Sequence, residues 1–177
     1  MNMDIKTKIE DFFINIALGP VLAKRERVFG NREKEMNRCI KAFFSAIKGG
    51  DTDRIKALFA QNAINEIGDE ELESMINNFL SNFSGEFVDS TKLLVNSEGT
   101  VDHGKKSDVL MGSMEITSTS AEYKMAIKMI PYDDFNADNI GIWSINIMQK
   151  DTVSEYNYTG DGQYRTGIYF DVPRPLR

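Results

Sequence analysis

Residues 38–62, RCIKAFFSAIKGGDTDRIKALFAQN, constrain the fold more than any other stretch, because they combine two short amphipathic helices with a turn that no helix can cross. Ile40, Phe43, Phe44 and Ile47 recur at the spacing of one helical face, and Gly49-Gly50 supplies the left-handed positions at which such a helix ends. Asp51 or Thr52 then caps a second helix, with Ile55, Leu58 and Phe59 as its apolar face. Two helices this short bury too little to stand alone, so the rest of the chain must supply a surface for both faces.

Downstream, Asp69-Glu70-Glu71 places negative charge at a helix start, and Leu72, Met75, Ile76, Phe79, Leu80 and Phe83 form the stripe of a third helix running to about Asn82. Beyond Gly85 the period changes to two. The pattern predicts a strand over 87–95, a turn over 96–100, a short edge strand over 101–106 and a long strand over 109–117. Tyr123, Met125, Ile127 and Met129 alternate with Lys124, Ala126 and Lys128, which implies a buried and a wetter face. After a polar loop over 131–139, residues 140–150 are apolar on both parities, with Trp143, Ile145 and Ile147 on one face and Ile140, Ile142 and Met148 on the other. Gly160-Asp161-Gly162 reads as a turn, 164–170 as a last strand, and Pro173 and Pro175 end regular structure. Helices followed by a run of antiparallel strands predict an α+β fold, with the helices on the concave face of a strongly curved antiparallel sheet. Upstream, Ile5, Ile9, Phe12, Phe13 and Ile16 predict an amphipathic helix over about 4–18, stopped by Gly19-Pro20. The expected division is a helical extension over 1–32, the α+β domain over 33–173 and a tail over 174–177.

Charge narrows the partners. The net charge is −6 and the pI about 4.9, which argues against nucleic acid, whose binders present a broad basic surface. Residues 24–41 run the other way, with seven Lys or Arg against three Glu, and read as a solvated helix face. No run approaches the roughly 18 apolar residues of a membrane span, and the sequence as given reads as cytoplasmic. Cys39 is the lone cysteine and has no partner for an internal disulfide.

The phrase FFSAIKGGDTDRIKALFAQNA, residues 43–63, resembles the opening signature of the nuclear transport factor 2-like superfamily, whose cystatin-like fold is a cone. SNFSGEF (81–87), HGKKSD (103–108), DNIGIWSINI (138–147) and GIYF (167–170) resemble, more narrowly, a family of uncharacterised bacterial domains within that fold. Together the likeness covers about residues 32–173. It implies a cone and leaves activity open, since the superfamily includes isomerases, dehydratases, hydrolases, polyketide cyclases and pure binding domains. Because many members of the narrower family look like lipoproteins, it also implies an extracytoplasmic location if an upstream signal has been removed.

Candidate sites are few. Enzymes of the resembled superfamily place acids, bases and tyrosines inside the cone, so Glu115 and His103 are the weak candidates for a general base, Glu115 by desolvation against an apolar cavity. Tyr123 and Trp143 are the candidate pocket aromatics, and Ser144 and Asn146 the polar insertions that mark a wet patch in an otherwise apolar strand. Asp134, Asn136 and Asp138 have the one-three-five spacing of a calcium loop, but the twelfth position is Ile145, so a hairpin loop is expected and no metal. No cofactor motif is present. The expected function is non-catalytic binding of a small molecule or a protein through the cone pocket or the sheet face. The alternatives are an isomerase, dehydratase or cyclase using Glu115 or His103, and a homodimeric or immunity-type interaction protein.

Overall fold

The computed structural model describes residues 31–150 and 166–170, nearly all in the second of the chain's two units, Glu33–Arg177. The expected helix over 4–18, the turn at 160–162 and the ends after 170 lie outside the described residues. Helix α1 spans Arg32–Lys48 and buries Met36, Ile40, Phe43, Phe44 and Ala46. It ends where expected: Gly50 takes φ 59° and donates its N–H to Ile47 O at 2.9 Å. Asp51 then caps α2 (Thr52–Lys56), its Oδ1 accepting Arg54 N–H at 2.9 Å.

The second helix is shorter than its apolar face predicts, because residues 58–60 leave it to pair with the sheet. Ile142 N–H donates to Leu58 O at 2.8 Å and Ala60 N–H to Ile142 O at 3.0 Å, a parallel bridge centred on Phe59 and Ile142. Gly141 permits the approach at φ 135°, since a Cβ there would lie 2.6 Å from Ala60 N. Helix α3 (Gln61–Ile67) follows, and Gly68 turns the chain into α4 (Asp69–Asn82), which buries Leu72, Ile76 and Phe79. Lys56 holds Asp69, tying α2 to the start of α4. No described helix is long and apolar enough to cross a membrane.

Among the described residues six strands follow: β1 (Phe87–Ser90), β2 (Leu94–Asp102), β3 (Lys105–Ser118), β4 (Glu122–Asp133), β5 (Gly141–Gln149) and β6 (Gly167–Phe170), with a 3-10 turn at Ala137–Asn139 before β5. They form one sheet ordered β1-β3-β4-β5-β6, with β2 also on β3. The expectation of an antiparallel sheet needs correction. β6 runs parallel to β5, from Ser144↔Gly167 to Ile147↔Phe170, so the sheet is mixed. Residues 150–166 between them give the length of about a dozen residues or more that a parallel crossover requires.

A second correction concerns residues 96–100, which form no turn. β2 runs through them in unbroken register from Leu94↔Ser113 to Asp102↔Lys105, and the reversal is the two-residue turn His103-Gly104. Their polarity is that of an exposed edge strand.

β3 alternates cleanly. Leu110, Met114 and Ile116 point inward with Gly112, while Met111, Ser113 and Glu115 point outward. Gly112 leaves room for Met36, whose sulfur occupies the space a Cβ would take, and α1 thereby lies close across the sheet. On β5 the expected parity fails, because the register shifts between Lys128↔Ser144 and Met129↔Ile142. Trp143 is the extra residue of this bulge, so Ile142 joins Ile145 and Ile147 in the core and Trp143 does not.

Candidate functional site

A groove of about 710 Å³ opens between α1 and β1. The face of α1 that carries Ile40, Phe44 and Ile47 forms one wall, and Lys41 and Lys48 stand on it. Residues 85–87 with Asp89 and Ser90 form the other wall, and Leu80, Phe83 and Met114 close the bottom. Phe87 remains 42% exposed while its ring stacks on Phe44 with centroids 4.6 Å apart. Phe44 in turn reaches Phe83 at 6.2 Å, and Phe83 stacks on Tyr123 at 4.9 Å, so an aromatic chain runs from the groove into the core. Lys48 spans one end of the groove to Glu86 at 3.3 Å, a highly exposed pair that opens at little cost. The lining includes no histidine or cysteine.

The residues singled out from sequence lie elsewhere and do not converge. Tyr123 is fully buried on the inner face, and its Oη accepts Ser84 N–H at 3.0 Å. Trp143 donates its indole N–H to Asn139 O at 2.8 Å, with Lys128 Nζ 5.7 Å from the ring centroid. Ser144 pairs with Lys128, and Asn146 sits between Ala126 and Tyr169, both on the outer side of the sheet. Asn146 Oδ1 is buried with no hydrogen-bond partner among the described residues.

Glu115 also lies on the outer face, opposite Lys124, with its carboxylate 3.2 Å from Lys150 Nζ. Lys150 is shared with Glu122 at 3.0 Å, and the hydrogen bonds to Glu122 and Glu115 raise its pKa. His103 is the first residue of the β2–β3 turn, at φ 47° and almost wholly exposed, with Nδ1 2.6 Å from Asp102 Oδ1.

Among the described residues no His, Cys, Asp and Glu group could hold a metal ion. The residues of the calcium-like spacing serve as turn chemistry: Asn136 Oδ1 accepts Asp138 N–H at 3.1 Å, and Asp134 Oδ2 accepts Lys106 N–H at 2.9 Å. The Cys39 thiol is pushed up to about 11 by burial, against a smaller opposing pull from Arg38, and is a poor nucleophile at neutral pH.

The groove itself was only half legible in the sequence. Ile40, Phe44 and Ile47 are recognisable as one helical face, but nothing in the spacing shows that the end of this face toward β1 stays open. SNFSGEF is the signal that could have located the second wall, since it carries Phe83, Gly85, Glu86 and Phe87.

A comparison with curated proteins gives no match. A family model matches residues 42–150, more than half of the chain and most of both groove walls, and the chain belongs to that family, the Domain of unknown function (DUF5104).

Proposed function

We propose that this domain is a non-catalytic binding module of the nuclear transport factor 2-like type, a cone whose ligand seats in the groove between α1 and β1. The α+β order and the helices packed against the inner face of the sheet support the superfamily reading. The observation that carries the function is the groove, where a solvent-exposed Phe87 stacks on Phe44 above a floor that includes Leu80 and Met114. Its volume falls within the range of about 300–1,000 Å³ typical of small-molecule sites, and it combines an apolar floor with a polar rim as such sites do.

Binding is favoured over catalysis because the candidate bases are occupied or remote. Glu115 is held by Lys150 on the other face of the sheet, and His103 forms a hairpin tip. Neither lines the groove.

The test is a screen of small apolar compounds and short peptides against the isotope-labelled chain, read at the methyl groups of Ile40 and Met114. Binders should shift these resonances and lose affinity in Phe87→Ala. A screen in which no compound moves either methyl group would reject the groove as the site.

A further inference from the structure

The groove changes character along its length. At one end Lys48 holds Glu86 at 3.3 Å, and in the middle the rings of Phe44 and Phe87 stack with centroids 4.6 Å apart. Stepping back along α1 from Lys48 to Phe44 therefore matches stepping forward from Glu86 to Phe87, and the same course leads to Asn37 and Ser90 at the other end. The lengths agree, since Phe44 to Asn37 is two helical turns, about 10 Å, and β1 advances about 10 Å from Phe87 to Ser90. Both residues line the groove and both are half-buried. Ser90 pairs with Ile116, whose side chain points inward, so its hydroxyl lies on the helix side of the sheet.

Two observations define what this end accepts. Neither the Asn37 amide nor the Ser90 hydroxyl has a hydrogen-bond partner among the described residues, and together they offer donors and acceptors without charge. The charges of the rim also cancel. Lys41 and Lys48 stand on α1, Glu86 and Asp89 on the other wall, and nothing else charged lines the groove. A ligand with net charge gains little from a rim of both signs and gives up hydration to enter, whereas a neutral polar head exchanges its water for Asn37 and Ser90. The middle of the groove selects a flat body, because the Phe87 ring is 42% exposed while stacked on Phe44.

Resting on the groove reading, we propose that the ligand is an uncharged aromatic compound with one hydrogen-bonding head, an amide or a hydroxyl, about 10 Å from its ring. The ring lies against Phe87 and Phe44, and the head exchanges hydrogen bonds with Asn37 and Ser90.

Four matched probes titrated into the isotope-labelled full chain test this: 6-phenylhexanamide, 6-phenylhexanoate, 6-phenylhexylamine and 6-cyclohexylhexanamide. The phenyl amide should shift the Ile40 and Met114 methyl groups and the Asn37 side-chain amide, and bind about tenfold more tightly than the acid or the amine. The cyclohexyl amide should bind several-fold more weakly than the phenyl amide. Asn37→Ala should erase the advantage of the amide head, and Asn37→Asp, which keeps the shape and adds a charge, should pass it to the amine. An acid, an amine or a cyclohexyl amide that binds the unmodified chain as tightly as the phenyl amide would overturn the proposal, as would an amide preference that survives Asn37→Ala. If these probes leave the Ile40 and Met114 methyl groups unmoved while other compounds of the screen shift them, this ligand class falls and the groove reading stands. If nothing shifts them, both fall.

Discussion

The hydroxyl of Tyr123 fastens the end of α4 to the sheet: it accepts the Ser84 N–H at 3.0 Å and lies 3.4 Å from the Ser84 carbonyl to which it donates. Tyr123 is fully buried, and its ring packs on Phe83 and Phe170 with centroids 4.9 and 5.9 Å away. One side chain therefore belongs to the core by its ring and to the α4–β1 connection by its oxygen. The connection it fixes is the one that leads into the groove wall at residues 85–90.

Tyr123→Phe keeps the ring and deletes the anchor. Ser84 is exposed, so water replaces the protein partner of its N–H, and the loss should be about 0.5–1.5 kcal/mol in urea unfolding. Hydrogen exchange at the Ser84 amide should accelerate as well. Unchanged exchange there would show that the connection is held by its own packing.

The approach of α1 to the sheet at Gly112 gives a second prediction. A Cβ at this position would collide with the Met36 sulfur and press on Ile127 and Leu93, each 3.2 Å away. Gly112→Ala should destabilise by about 1–3 kcal/mol, the usual range for overpacking. Met36→Ala empties the same space, so the double variant should cost clearly less than the two single changes together. Strict additivity in denaturant titrations would argue that Met36 yields without strain.

How much of this was readable beforehand follows from where local chemistry decides the outcome. The end of α1 at Gly49-Gly50 and the Asp51 cap were legible, because turn and cap residues act within a few positions of themselves. The path of residues 58–60 was not, since their pairing with Ile142 depends on a strand some eighty positions later. Trp143 misled for a related reason: period-two reading assumes no bulge, and the bulge is set by the register against β4. Residues 96–100 look like a turn by composition, yet an exposed edge strand tolerates the same polar residues. The groove shows the same limit, since helical spacing identifies the Phe44 face but not the gap left beside Phe87.

His103 can be tested as a turn residue. His103 and Gly104 both have positive φ, 47° and 84°, between paired Asp102 and Lys105, the pattern of a type I′ hairpin. Asn is the favoured residue at the first such position, so His103→Asn should raise stability by about 0.5 kcal/mol through relief of backbone strain. A loss of stability in thermal unfolding would mean that the Asp102–His103 contact matters more than the turn, against expectation for so exposed a pair.

Asp133 is expected to contribute to the acid limit of the fold. Its carboxylate is buried and accepts N–H bonds from Phe135 at 2.9 Å, Asn136 at 3.2 Å and the Asn139 amide at 2.8 Å. Asn139 in turn accepts from Asn62 of α3 at 2.8 Å, so the carboxylate organises the loop over 133–139 and its contact with the helices. Burial pushes its pKa up, but the hydrogen bonds from Asn139, Phe135, Asn136 and Ser107 outweigh burial, and the folded value lies below the ordinary one. In the unfolded chain the group titrates near about 3.9. Above that pH it is charged in both states and its contribution to stability is fully present; as pH falls through the lower folded value, the contribution is lost. Asp133→Asn should therefore lower stability at neutral pH by about 1–3 kcal/mol, because the loop loses a charged acceptor. It should also flatten the decline of stability below about pH 4, since one acid-sensitive group has been removed. Urea midpoints measured across that range for both proteins decide the matter: curves that fall in parallel would assign the acid limb to other carboxylates.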